Sequence, residues 1–235
     1  MKTAGKILKA LFHITSLVIV FGTIGLVLWR IFMLGTPGEM KNVVPNERLC
    51  AAYEASGGEL TLYYQDQNTI TRAEDSYGYF GAPHVTFIKE ADQLQVVFRY
   101  NLSTLKHLKE DYSLDWTPDR SGTYFDVTVS VSTDLTPDIA EDNSGNDPDA
   151  VLQTRYHPTS FTTYQNSLYN YVKFVFDGVC IEDDTLAVFL DVYYVDDIDY
   201  EKEPYGALCL YDYKSKNVDR ELTSKDIEAI ESFSK

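Results

Sequence analysis

"FDVTVSVS", residues 125–132, alternates apolar and polar side chains without a break. Phe125, Val127, Val129 and Val131 fall on one side of an extended chain, and Asp126, Thr128, Ser130 and Ser132 on the other. Period two with β-branched residues marks a strand whose one face meets a core and whose other face meets water. The same period returns on both sides of it. "ELTLYYQ" (59–65), "HVTFIKE" (84–90) and "QLQVVFRY" (93–100) read as strands, the last with Leu94, Val96, Phe98 and Tyr100 on one face. "LYNYVKFVFDGVCI" (168–181) and "TLAVFLDVYYV" (185–195) are apolar on both faces, as central strands are. The "EDD" between them is expected to close a hairpin, and "GALCLYDY" (206–213) adds another strand.

Three stretches change period. "NERLCAAYEASGG" (46–58) predicts a short helix capped by Asn46 and stopped at Gly57-Gly58. "NLSTLKHLKEDY" (101–112) spaces Leu102, Leu105, Leu108 and Tyr112 as helix neighbours, with Asn101 or Ser103 as cap. A last helix is expected at 224–233, where Thr223 and Asp226 form a capping-box-like start and Ile227, Ile230 and Phe233 pack back. Seven to nine strands with short peripheral helices predict a mainly β chain. The expected architecture is an antiparallel β-sandwich, immunoglobulin-like, over residues 59–235. A single curved sheet packed on helices is the alternative. Residues 134–150 read as a long acidic loop.

Before the β-rich part lies "LKALFHITSLVIVFGTIGLVLWR" (8–30), with no charged residue from Ala10 to Trp29. About 20 apolar residues suffice to cross the ~30 Å hydrocarbon core of a bilayer. The run exits through Trp29-Arg30, with no small-x-small triplet for signal peptidase. A retained transmembrane helix over 10–33 is therefore expected, rather than a cleaved signal. Lys2, Lys6 and Lys9 favour a cytoplasmic segment 1–9 and an extracytoplasmic domain beyond the plasma membrane. Gly35, Pro37, Gly38 and Pro45 mark 34–58 as a linker followed by the short helix, so that a fragment starting at 46 is expected to fold alone.

All 36 Asp and Glu lie after the anchor with 16 of the 20 Lys and Arg, a net charge of −20. A field of that sign repels nucleic acid and anionic lipid. Cys50, Cys180 and Cys209 show no zinc spacing; Cys180 and Cys209 either pair or serve as small apolar residues. The histidines, His13, His84, His107 and His157, are scattered, and there is no G-x-S-x-G, HExxH or Walker loop. No cofactor and no metal site are expected. Calcium at the acidic runs 134–150 and 191–206 remains open, although neither matches an EF-hand loop. Asp191 stands among Ala187, Phe189, Tyr193 and Val195 on its strand face and needs a partner, structural or functional.

The 18 tyrosines supply strand propensity first and contact area second. One acidic-aromatic loop is the candidate recognition surface: Asp197, Asp199, Tyr200, Glu201, Glu203 and Tyr205. The alternative is a solvated sheet edge.

The segments "LYYQDQNTITRAED", "VVFRYNLSTLKHLKEDY", "FVFDGV" and "FLDVYYVDDIDYEKEPYG" together resemble uncharacterised single-pass membrane-anchored proteins of Gram-positive gut bacteria. The resemblance implies an anchored envelope protein and no particular activity. The functional expectation is a membrane-anchored binding or scaffolding protein with a protein or envelope partner. A sensor or accessory subunit of a membrane complex, and an enzyme with a scattered site, are the alternatives.

Overall fold

The computed structural model describes residues 2–65, 80–117, 119, 122–132, 154–181, 185, 187–200, 202–212 and 218–234. The chain opens on one helix, α1 (Lys2–Leu34). Its stretch Phe12–Ile31 is long and apolar enough to cross a membrane, and none of it packs against the rest of the protein.

Beyond α1 the protein is mainly β, in two antiparallel sheets. Strands β1 (Leu62–Gln65), β2 (Phe80–Ile88), β3 (Gln93–Asn101), β6 (Ser160–Gln165), β7 (Tyr169–Asp177) and β10 (Val218–Arg220) form the larger, in the order β10-β1-β2-β3-β7-β6. Strands β4 (Phe125–Ser132), β5 (Thr154–Tyr156), β8 (Ala187–Tyr194) and β9 (Gly206–Asp212) form the smaller, in the order β5-β4-β8-β9. Two sheets replace the alternative of a single curved one. The expected hairpin between 168–181 and 185–195 does not form either: β7 and β8 lie in different sheets. The "EDD" read as its turn falls outside the described residues.

Alternation along each strand places the main core. Val85, Phe87, Leu94, Val96, Phe98, Phe174 and Phe176 of the larger sheet share one apolar cluster with Phe125, Val127, Val129, Val188, Leu190, Val192 and Leu208 of the smaller. The ring of Phe98 meets that of Phe125 edge-on at 5.8 Å. Helix α4 (Leu102–Asp111) adds buried Leu105 and Leu108. Its N-terminus carries a full capping box, with Asn101 accepting from Thr104 N and Thr104 Oγ1 accepting from Asn101 N.

The second face of the larger sheet is also buried. Helix α3 (Glu47–Ala55) and helix α5 (Ser224–Phe233) bring Leu49, Cys50 and Ile230 onto Leu62 and Ile88. Between α1 and α3 the chain does not run as the linker that its Gly and Pro content suggests. It turns once in α2 (Gly38–Lys41) and lies on the sheet, with Met40 packed on Val97 and Tyr171. The expected caps at Asn46 and Thr223 are present. Phe233, expected to pack back, is 51% exposed, because α5 seats on Ile230 and Asp226 instead.

The second face of β4 differs from its expectation as well. Thr128, Ser130 and Ser132 are buried rather than facing water. Their cross-strand neighbours on β8 explain part of this: Thr128 lies opposite Asp191, and Asp126 opposite Tyr193.

Candidate functional site

Strand β5 pairs only with Val129, Ser130 and Val131 of β4. Among the described residues the Phe125 end of β4 therefore has no strand on that side, and a cleft of about 910 Å³ opens over the gap. Its floor is the inward face of β7 and β6. Paired positions Phe174 and Phe161, Val172 and Thr163, and Asn170 and Gln165 form successive rungs. Its other wall is Tyr124, Phe125, Val195 and Ile198. Phe161 is 57% exposed, and Val195 and Ile198 are exposed beside it. Among the described residues outside α1 few large apolar side chains are so exposed, and three of them meet here.

The lining is neutral except for Asp126, whose Oδ2 accepts the Tyr200 hydroxyl. That bond, then burial, pushes the Tyr200 phenol up to about 12. The cleft therefore offers aromatic and aliphatic surface with amide and hydroxyl groups at intervals. Such a surface suits binding of an apolar group in a fixed orientation.

Among the described residues β6 ends its sheet, so its outer edge is free. The β6–β7 hairpin is tight: Asn166 N donates to Tyr169 O at 3.0 Å. Asn166 Oδ1 accepts from Leu168 N at 2.9 Å and Tyr169 N at 2.8 Å. Hydrogen-bonded pairs alternate along an antiparallel ladder. The amides of Ser160, Thr162 and Tyr164 thus point to β7, and those of Phe161, Thr163 and Gln165 point outward.

No known family, curated protein or solved structure matches this chain.

The loop singled out in the sequence lies next to the cleft, but its aromatic rings are engaged. Tyr200 stacks edge-on against His157 at 4.8 Å and Tyr193 at 5.1 Å, and its carbonyl accepts from Arg155 Nη1. The Tyr205 hydroxyl donates to Asp111 Oδ2 at 2.8 Å, and its ring packs on Phe80, Tyr112 and Phe125. Asp197 and Glu203 are exposed, and Asp199 pairs with Lys202 at 3.3 Å. Glu201 lies outside the described residues, as does the acidic run 134–150. Among the described residues, no three His, Cys, Asp or Glu side chains gather in a way that could hold a metal ion. Cys180 and Cys209 are free thiols.

Asp191 accepts from Ser130 Oγ at 2.9 Å on the outer face of the smaller sheet. Burial raises its carboxyl against the opposing pull of Ser130 and Arg155.

A second polar assembly ties residues 33–46 to the larger sheet. The last carbonyls of α1 and the one after it are held in turn: Met33 O by Asn166 Nδ2 (3.1 Å), Leu34 O by Arg99 Nη1 (3.2 Å) and Gly35 O by the Tyr171 hydroxyl (3.3 Å). Helix ends leave such carbonyls without intrahelical partners. Further along, Lys173 Nζ donates to Asn42 O. Gln95 exchanges two 2.9 Å bonds with the Val44 backbone. Asp226 accepts from Val43 N (2.8 Å), Arg220 Nη2 (2.9 Å) and Thr223 Oγ1 (2.6 Å). Asp177 gathers Asn46, Gln93 and Thr159. Burial raises its carboxyl, but those three bonds together hold it below the usual range. Neither β6 nor this assembly was visible to the sequence reading. The hints were the Thr-Thr-Tyr of 162–164 and the Gln-x-Gln of 93–95.

Proposed function

We propose that the protein is a membrane-anchored, extracytoplasmic binding or scaffolding protein of the cell envelope, non-enzymatic, and that the cleft beside β6 is its binding site. The carrying observation is the co-location of a 910 Å³ neutral cleft, the exposed Phe161 and a free strand edge. In this reading the two sheets pack as a sandwich of immunoglobulin-like layering, supported by the cluster that both inward faces share. Helix α1 crosses the plasma membrane with residues 1–9 in the cytoplasm, supported by Lys2, Lys6 and Lys9.

The test is site-specific photo-crosslinking in intact cells. A crosslinking residue is placed at Phe161 or, as control, at exposed Glu228 on α5. Adducts from position 161 and none from 228 are expected. Equal or absent adducts at 161 remove the cleft as the site. Protease added to protoplasts is expected to digest the domain, and full protection reverses the topology.

A sensor or accessory role is the second reading. It is favoured by the side-chain bonds that hold the end of α1 to the sheet, since a bound partner and the anchor then share one rigid body.

A further inference from the structure

We infer that the cleft takes an extended peptide segment that adds to β6 as a seventh strand of the larger sheet, with apolar residues at alternate positions and a net positive charge. This deepens the binding reading above and rests on it. Three independent features point the same way.

The first is the edge. Sheet edges are ordinarily blunted by charge, proline or a covering element. β6 reads Ser-Phe-Thr-Thr-Tyr-Gln, with no charge and no proline, and is largely exposed along its length. Four of its six residues, Phe161, Thr162, Thr163 and Tyr164, are strand formers. The outward amides and carbonyls of Phe161, Thr163 and Gln165 form a ladder of the length that a short peptide strand pairs with.

The second is the register of the cleft. Phe161, Thr163 and Gln165 send their side chains to the inward face, where the cleft lies. A strand added at that edge turns every second side chain to the same face. Those side chains meet the open flank between Phe161 and the Val195–Ile198 wall. Apolar side chains at these positions remove from water the surface that the smaller sheet leaves uncovered.

The third is charge. Asp196 and Asp197 are exposed on the short turn that carries Val195, and the residues after the anchor sum to −20. An incoming segment of net positive charge therefore suits this side of the domain. An acidic strand is repelled.

The experiment uses the full chain in nanodiscs. The probes are short amidated peptides in which valine, leucine or phenylalanine alternates with threonine, with lysines at both ends, each labelled for fluorescence anisotropy. Binding is expected, and methylation of every second backbone nitrogen along one edge of the peptide is expected to weaken it at least tenfold. N-methylation leaves the side chains in place and removes only the ladder. In the protein, Thr163→Pro deletes one outward N–H at an edge position that tolerates proline. It is expected to weaken binding at least tenfold, while Thr163→Val, which keeps the amide, binds as the natural chain does. Circular dichroism checks that each variant folds. Should Thr163→Pro misfold, the methylated peptides still decide.

Binding that survives methylation and Thr163→Pro means that the cleft holds side chains without strand addition. That overturns this inference and leaves the binding reading standing. No binding by any alternating peptide overturns it too, and the crosslinks from position 161 then judge the binding reading separately. Dimerisation of the chain that Thr163→Pro abolishes assigns the edge to a second copy and overturns the peptide assignment.

Discussion

Lys173 is the residue with most at stake. Its side chain is fully buried on the second face of the larger sheet, and Nζ donates to Asn42 O. Burial lowers its pKa to about 7, against a smaller opposing attraction from Asp226. His84 on β2, with β3 between it and Lys173's strand, is lowered to about 3 by burial and by the charges of Lys173, Arg220 and Lys41, so it stays neutral. The sign for Lys173 follows from proton counts. An unfolded lysine keeps its proton to about pH 10.4, whereas the folded one releases it near 7. Between those values the unfolded chain binds more protons, so stability rises with pH. Below pH 7 the cost of the buried charge is present in full. Relative to Lys173→Met, the natural chain is expected to gain up to about 1.4 kcal/mol per pH unit above pH 7. Denaturant unfolding at pH 6, 7, 8 and 9 measures this, and parallel profiles refute the buried lysine. The sequence concealed Lys173 for a simple reason. Period two reports which face of a strand is apolar, not whether a polar face is covered later by distant chain.

Among the elements, helix starts were the most legible. Asn46, Asn101 and Thr223 stand where caps were expected, because capping is local chemistry within four residues. Asn101→Ala is expected to cost about 1 kcal/mol, read from the unfolding midpoint, since it removes acceptors for Ser103 N and Thr104 N. The strand at 125–132 was legible for its apolar face alone. Val129 is fully buried, and Val129→Ala is expected to cost about 2 kcal/mol from two lost methyl groups and the space they leave. Phe161→Ala provides the contrast. It deletes a larger side chain from a half-exposed position, and its expected cost is under about 0.5 kcal/mol. A large loss there shows that Phe161 supports the fold rather than the cleft. β6 escaped notice because its Thr, Tyr and Gln lack the apolar alternation of a strand with one side in a core. A strand at a sheet edge beside an open cleft carries that signature weakly.

For the whole molecule, the segment 35–46 decides how the protein is divided. Its Gly and Pro content suggested a spacer, yet Met40 and Val43 are buried and its backbone satisfies Lys173, Gln95 and Asp226. Composition reports local stiffness and says nothing of what a segment is laid against. A fragment 46–235 loses two buried apolar side chains and strands three buried polar groups. It is expected to be at least about 4 kcal/mol less stable than 35–235. Equal urea midpoints for the two fragments argue that the segment is incidental.

The bonds at the end of α1 bear on reach. A flexible dozen-residue tether lets a domain wander by roughly 20 Å, and its partners are met wherever diffusion brings them. Asn166 and Tyr171, which hold Met33 O and Gly35 O, flank the same hairpin whose inward rungs floor the cleft. With α1 in the bilayer, the open strand edge keeps a fixed altitude and heading above the lipid. On the proposed reading, only ligands presented at that height and angle dock, and a ligand that tugs on the edge also twists the helix below it.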